Sequence, residues 1–575
     1  MTPPKPQKIN PANKTVNFSK RKIEITFDEY IQLQNVNQEL LVSPLMKEKP
    51  EVKAKAAGIV IRLPDKLDSN TTYNMNFGQS IVDLNEGNPA GDFQYVFSTG
   101  GHIDSLKISG VVKDAFTHAP EKELLVLLFE NLNDSAFIND TALYVAKVNE
   151  TGKFTIPNIR PGTYNLFALK DENSNYMFDL PNENIAFLDS VLTPSARTVT
   201  KTDTLTIEKI DTLAAETADT VKTITTDTIT KDTVISRSYT EFSPKNITLY
   251  LFEEAYRQQY ISHDERTEKW KCKICFNRPL YDDFIQIRLS PENADTNRLF
   301  IEQNSYMDTL TCWIKDSNDY LRDSLKFLVS FFIKDSNDNK ILTTDTLYMV
   351  QKEKTKRKKD KKKHKDNDTL IIRTTIKAKP FDLNKKIIIS ASHPANIVDT
   401  SGIRLLQIQD SLEIPQPFSI HAINPVQRDF IIDNIWEPDS TYQLMIDPGA
   451  FTDIFGFQND TVLQRFTVQT PAYYGVIKLS IAGVDRATIL ELLNPEYIVK
   501  RTFFFEKDTM LIMKYLHPGK YTFRIIIDKN SNKLWDTGKY IEKRQPEPVL
   551  YLPEMIEVKS NYEHEIRWVM PEVAE

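Results

Sequence analysis

Glycine is scarce in this chain, 16 of 575 residues. Few positions are therefore free for left-handed turns or for the glycine-rich loops that cradle phosphates. No G-x-G-x-x-G, phosphate-loop, G-x-S-x-G or H-E-x-x-H string occurs, and the eight histidines are scattered. This sets aside the dinucleotide, P-loop, serine-hydrolase and zincin classes and leaves only an enzyme built from dispersed residues. Cysteine is nearly absent, with Cys272, Cys275 and Cys312 alone. Three thiols cannot all pair, so no disulfide framework is expected. So few cysteines suit the cytoplasm and a bacterial envelope equally. No apolar run approaches the roughly 18 residues of a membrane helix; the longest lies near 124–129. The start, Met1-Thr2-Pro3-Pro4-Lys5-Pro6, has no apolar leader core. That start fits either a cytoplasmic protein or one whose leader has been replaced by Met1. A dominant charge is lacking too. Lys and Arg number 72 against 79 Asp and Glu, so no global field favours nucleic acid.

Phe (31) and Tyr (23) are plentiful, a bias towards strands. The length suggests about four domains. A string occurs twice in the same order. Pro161-Gly162-Thr163-Tyr164 runs on through Asp171, Asn173, Asn175 and Asp179. Pro518-Gly519-Lys520-Tyr521 runs on through Asp528, Asn530, Asn532 and Asp536. Each number in the second copy exceeds its counterpart by 357 (518 against 161, 536 against 179). A fixed offset of this kind marks duplicated modules.

The duplication extends outward. In the first A copy, 1–101, Ile23, Ile25 and Phe27 share one strand face, as do Tyr73, Met75 and Phe77. A turn around Asp83 to Pro89 follows, then a strand closing in Phe97-Ser98-Thr99. The second A copy, 381–471, repeats this with 386–389, 439–446, a turn from Asp453 to Phe457, and 465–470. The first B copy is 102–195 and the second 472–575. Between the pairs lie a Thr/Asp-rich linker, 196–242, and a central β domain, 243–380, with a basic loop at 351–368. Regular short strands separated by turn signals give an all-β fold class: tandem β-sandwiches ordered A–B, centre, A–B.

Four features could carry chemistry. Asp171, Asn173, Asn175 and Asp179, with Asp528, Asn530, Asn532 and Asp536, alternate oxygen-bearing side chains as a calcium loop does. The sixth place, Tyr176 or Lys533, is not Gly, and the twelfth, Asn182 or Lys539, is not Glu. The competing reading is a turn in which the Asx side chains bond their own backbone. Asp335 to Asn339 is a weaker echo. Cys272-Lys273-Ile274-Cys275 is a lone C-x-x-C, read as zinc closed by Cys312 and His263, as a redox pair, or as strand residues facing opposite ways. The Lys run 352–365 has no interleaved aromatics, so a solvated loop competes with nucleic acid, anionic lipid or acidic glycan. Last, Asp-Thr-apolar triplets crowd the linker.

The A copies resemble the bacterial Ig-like domain of S-layer and envelope proteins, through Thr72-Tyr73, the turn from Asp83 to Asn88, and Phe97-Ser98-Thr99. The B copies resemble prealbumin-like, carboxypeptidase-regulatory-type sandwiches, through Gly110-Val111-Val112-Lys113-Asp114, Gly152-Lys153-Phe154 and the Pro-Gly-x-Tyr string. The whole order is similar to Ig-like-domain lipoproteins of Bacteroides-type bacteria. This resemblance implies a non-catalytic outer-membrane lipoprotein on either face of that membrane, anchored through an N-terminal lipidated Cys that this sequence lacks. It implies a structural and binding platform, a subunit of an outer-membrane complex, with envelope proteins and glycans as partners and no nucleic acid. It also implies O-glycans on the linker at Thr204, Thr212, Thr220, Thr228 or Thr233. The alternatives are a carbohydrate- or surface-ligand-binding protein with an exposed aromatic strip and, third, an enzyme. No cofactor is expected beyond calcium.

Overall fold

The computed structural model describes residues 3–91, 93–180, 182–212, 226–255, 259–280, 285–290, 298–304, 306–334, 339–351, 369–377, 380–423 and 427–571; over 201–212 and 226–237 it describes the backbone alone. Among these residues α-helix is confined to three four-residue turns, Val36–Glu39, Ala136–Asn139 and Ser317–Tyr320. The rest is sheet and loop, an all-β fold of tandem sandwiches. Two compact units are formed: Met1–Ala255 with Leu534–Val549, and Tyr256–Lys533 with Leu550–Glu575.

In the first unit the A copy is a sandwich. One sheet orders Pro6–Asn10, Lys22–Phe27, Gly58–Arg62 and Glu51–Ala54; the other orders Leu41–Ser43, Thr72–Asn76 and Gln94–Ser98. The alternation read from the sequence is the alternation of burial. Ile23, Ile25, Phe27, Tyr73, Met75 and Phe77 are all buried in one cluster with Tyr95 and Phe97. Asp83 holds the turn after them, its carboxylate accepting the N–H groups of Glu86 (2.5 Å), Gly87 (3.2 Å) and Asn88 (2.8 Å).

The first B copy is one seven-stranded sheet wrapped round Ile108, Val112, Val126, Leu128, Phe154 and Leu166. Here two sequence boundaries give way. The strand Ile247–Glu253, placed by sequence in the central domain, pairs in parallel with Leu106–Asp114 and supplies Leu249 and Leu251 to this core. The second B copy closes the same way, Glu563–Val569 running parallel to Gly475–Ala482. The first copy is therefore split by an insertion ahead of its last strand.

That insertion is the expected linker, and it is not one. Ser195–Thr212 and Thr226–Ser243 pair antiparallel along their whole length as a two-stranded ribbon. Thr, Val and Ile suit extended backbone, but neither face of the ribbon is uniformly apolar, so a search for apolar alternation passes over it. Its base is fastened: Arg197 lies 2.6 Å from Glu241, Thr200 and Ser238 hydroxyls are 3.0 Å apart, and Lys107 sits over the Phe242 ring.

In the second unit the central segment is a sandwich of four strands (Ile261–Glu268, Lys271–Phe276, Thr309–Ile314, Leu299–Gln303) and three (Ile285–Ser290, Ser324–Lys334, Lys340–Val350). Ile372–Thr374, read from sequence as the end of this domain, instead pairs with Ile387–Ala391 of the second A copy. That copy buries Ile387, Ile389, Tyr442, Leu444, Ile446 and Phe466. Its Asp453 plays the part of Asp83, accepting the N–H groups of Phe455 (2.9 Å) and Phe457 (2.8 Å). The second B copy packs Ile477, Leu479, Leu490, Leu492, Phe523 and Ile525 between its sheets.

Candidate functional site

The repeated string has a structural logic that begins before its Asp residues. The Tyr164 hydroxyl donates to the Arg160 carbonyl (2.9 Å), and the Tyr521 hydroxyl donates to the His517 carbonyl (3.1 Å). Each tyrosine thus pins the chain four residues upstream, a tyrosine corner of the kind sandwiches use. The strand that follows leads directly into the Asx loop.

In the first loop Asp171 Oδ1 accepts the N–H groups of Ser174 (2.6 Å) and Asn175 (3.3 Å), and Oδ2 accepts that of Tyr176 (2.8 Å). Asn173 Oδ1 accepts from Asn175 N, and Asn175 Oδ1 from Met177 N. The two amide groups donate to Asp179, one to each oxygen, at 3.0 and 2.8 Å. Ser174 and Tyr176 adopt left-handed backbone, φ 62° and 64°. Structure therefore gathers the four sequence-chosen residues, and it gathers them as a self-bonded turn.

The second string is shared between the units. Asp528, Asn530 and Asn532 belong to the second. Asp528 accepts from Asn532 N (3.1 Å) and Lys533 N (2.8 Å), and Asn530 Oδ1 accepts from Asn532 N. Ser531 and Lys533 are left-handed at φ 58° and 64°, the counterparts of Ser174 and Tyr176. Asp536 belongs to the first unit, where its N–H donates to Glu547 Oε2 (3.0 Å).

Glu547 points to a pair that sequence reading missed. Glu183, fully buried, accepts N–H groups from Glu172, Asp179 and Leu180. Glu183 and Glu547 occupy equivalent places, each accepting the N–H of the last Asp of its string. Their numbers differ by 364, seven more than the repeat offset, because the second copy is longer between Asp536 and Glu547. A buried Glu after each string, found by allowing a gap in the alignment of the copies, was the available signal.

As a calcium site the first loop fits poorly. Both Asp171 oxygens are committed to backbone N–H groups, and Asn173 and Asn175 turn their donor ends to Asp179. Among the described residues no group of three or more His, Cys, Asp or Glu is placed to hold a metal ion. The weaker echo at 335–338 and the basic run 352–368 lie outside the described residues, as does Thr220; the side chains of Thr204, Thr212, Thr228 and Thr233 do too.

The C-x-x-C residues face opposite ways, as three-residue spacing on a strand requires. Cys272 is buried and stands opposite Cys312 in register, while half-buried Cys275 stands opposite His263. Burial pushes the Cys272 thiol up to about 12, and it pushes Cys312 up as well. Neither is a poised nucleophile. His393 and Asp453 form a buried pair in the second A copy, but the imidazole is surrounded by the rings of Trp270, Trp313, Phe455 and Phe457. In the first unit a cleft of about 340 Å³ is lined by Val36, Leu40, Val42, Leu45, Met46 and Val52, with Lys47 and Lys49 and without a carboxylate or histidine.

Comparison with known proteins agrees with the sandwich reading. Residues 1–99 match the family model of the bacterial Ig-like domain. Over these residues the chain is similar to a bacterial Ig-like domain. Residues 124–177, in the first B copy, match the model of polysaccharide lyase family 4, domain II. No curated protein sequence matches the chain. Among solved structures, native alpha-2-macroglobulin from Escherichia coli spanning domains MG0-NIE-MG1 is 11% identical, covering 52% of this chain and 98% of its own, with a TM-score of 0.18. The S-layer protein rSbsC(31-844) is 9% identical over 96% of this chain and 66% of its own, TM-score 0.13. The Bacillus anthracis TIE protein is 10% identical over 98% and 74%, TM-score 0.12. Superpositions this loose carry no functional weight.

Proposed function

We propose that the chain is a non-catalytic protein of the bacterial cell surface, in which tandem Ig-like sandwiches act as a spacer and binding platform. The observation that carries this reading is the bacterial Ig-like match over 1–99, joined to a second A copy built round the same Asp-held turn. The polar groups singled out as candidate chemistry support it. The Asx oxygens, the buried thiols and the buried histidine are each occupied with holding the fold, so they serve sandwiches rather than a reaction centre. On this reading the protein is an outer-membrane lipoprotein, anchored by lipid at its N-terminus and associated with other envelope proteins as a subunit of a membrane complex. Glycans on Thr204, Thr212, Thr220, Thr228 or Thr233 would coat the ribbon. Fractionation of the native host, followed by pull-down from the envelope, tests this. Recovery in the outer membrane with stable protein partners supports it, and recovery in the soluble cytoplasm overturns it. Intact mass of the native protein tests the glycans and the lipid together, since a bare polypeptide mass removes both.

A second reading, carbohydrate binding, is favoured by the match of 124–177 to a polysaccharide lyase domain. None of the five tryptophans is exposed, so a platform for a sugar ring would be built from exposed tyrosines such as Tyr30, Tyr348 and Tyr562. Calorimetric titration with host-surface polysaccharides distinguishes the two readings.

A further inference from the structure

The ribbon carries more order than its composition suggests. Its two strands make a sheet of their own, and among the described residues neither outer edge is paired with a third strand. A two-stranded ribbon is marginal in water, and an unpaired edge is a template for another strand. In antiparallel pairing, residues directly opposite one another share a face. On the strand Ser195–Thr212 the odd-numbered positions of one face read Lys201, Asp203, Leu205, Ile207, Lys209, Asp211. This series is its own antiparallel complement. Laid against a second copy with Thr206 opposite Thr206, it registers Lys201 with Asp211, Asp203 with Lys209 and Leu205 with Ile207, then repeats these in reverse. The other face opposes Thr204 with Glu208, Thr202 with Ile210 and Thr200 with Thr212, so no like charges meet.

We propose that the edge of Ser195–Thr212 pairs with the same edge of a second copy of this chain, about a two-fold axis through Thr206. The pairing joins two ribbons into a four-stranded sheet and is isologous, as a closed dimer requires. The other strand, Thr226–Ser243, does not offer this. No register of it on its own copy opposes more than two pairs of unlike charge, and the register about Asp232, which sets Asp227 against Arg237, also sets Asp232 against itself. The Ser195–Thr212 edge opposes four. Lys107, on the strand Leu106–Asp114, sits over the Phe242 ring, so the ribbon's base is tied to a folded module that presents the edge. The dimer goes beyond the surface-platform reading and does not depend on it.

The test uses the full chain. Sedimentation across micromolar to sub-millimolar concentrations is expected to show a monomer–dimer equilibrium that weakens as salt rises, since the pairing sets unlike charges opposite one another and salt screens their attraction. Lys201→Asp with Lys209→Asp sets acids against acids, and Asp203→Lys with Asp211→Lys sets bases against bases. Each double variant alone is expected to raise the dimer dissociation constant by about tenfold or more. An equimolar mixture of the two restores every unlike pair and is expected to recover the dimer, which also shows that both variants remain folded. A wild-type chain that stays monomeric, even one whose ribbon binds some other envelope protein, overturns the proposal. So does a double variant that dimerises as wild type does, or a mixture of natively folded variants that stays monomeric.

Discussion

His393 Nδ1 lies 2.7 Å from Asp453 Oδ2, with both side chains buried in the second A copy. The other oxygen of Asp453 accepts the backbone N–H groups of Phe455 and Phe457. One carboxylate thus ties the turn to the bend at His393, between the strands Ile387–Ala391 and Ala395–Val398. His393→Ala leaves Oδ2 buried without its partner, and a lost buried acceptor bond costs about 1–3 kcal/mol. Denaturant unfolding of the full chain is expected to show that loss in the second unit, and an unchanged midpoint there contradicts the structural role.

Asp171 is the keystone of the first Asx loop because its two oxygens hold three backbone N–H groups. Asp171→Ala should cost about 1–3 kcal/mol by orphaning partly buried donors. Asn preserves one acceptor oxygen and should cost less. If the loops are self-sufficient, millimolar calcium leaves the melting temperature unchanged. A rise of several degrees would mean that the ion binds the native loops, since a ligand that prefers the folded state stabilises it.

Tyr540 lies in the long loop of the second B copy, yet it belongs to the first unit. Its ring stands 5.3 to 5.5 Å from Phe137, Phe167 and Phe187, edge-on to all three, and its hydroxyl donates to the Asp134 carbonyl at 2.6 Å. Tyr540→Ala empties this cluster and should cost about 3–5 kcal/mol, the range for large aromatic truncations. Tyr540→Phe loses only the hydroxyl bond, about 1 kcal/mol. Hydrogen exchange over Leu125–Phe129 and Asn165–Leu169 should rise in the first variant and barely move in the second.

How much of this was legible depends on whether a signal was local. Ile23, Ile25 and Phe27 could be placed because burial on one face leaves a period-two pattern. The strand Ile247–Glu253 has that pattern too, but its parallel partner lies well over a hundred residues away, and sequence carries no mark of that pairing. The ribbon was read as a linker because its residues alternate charge and hydroxyl rather than apolar and polar. The Asx loops are legible from their alternating Asp and Asn, and so is the self-bonded turn that competes with calcium, but Glu183 and Glu547 are not, because a seven-residue insertion breaks the repeat offset. Backbone N–H groups, which decide where the Asx oxygens point, leave no trace in side-chain spacing.

Asp83 gives a pH prediction. The Glu86 N–H, with those of Asn88 and Gly87, holds its carboxyl below the ordinary 3.8. A depressed carboxyl contributes stability that is fully present above the unfolded value and is lost as pH falls through the folded one. Stability of the first A copy should therefore fall more steeply below about pH 4 in wild type than in Asp83→Asn, which cannot titrate. Parallel pH profiles for the two would show that Asp83 is not the titrating group.

The three cysteines make the last prediction. Cys272 and Cys312 are cross-strand neighbours in register, fully buried, with thiols pushed well above the ordinary range by desolvation. Only the thiolate attacks electrophiles, so both should resist alkylation in the native state. Cys275, half-buried on the opposite face, is the one thiol that solvent reaches. Brief maleimide treatment followed by peptide mapping is expected to label Cys275 alone, and all three after denaturation. Native labelling of Cys272 or Cys312 would show that the central sandwich opens far more readily than its packed core implies.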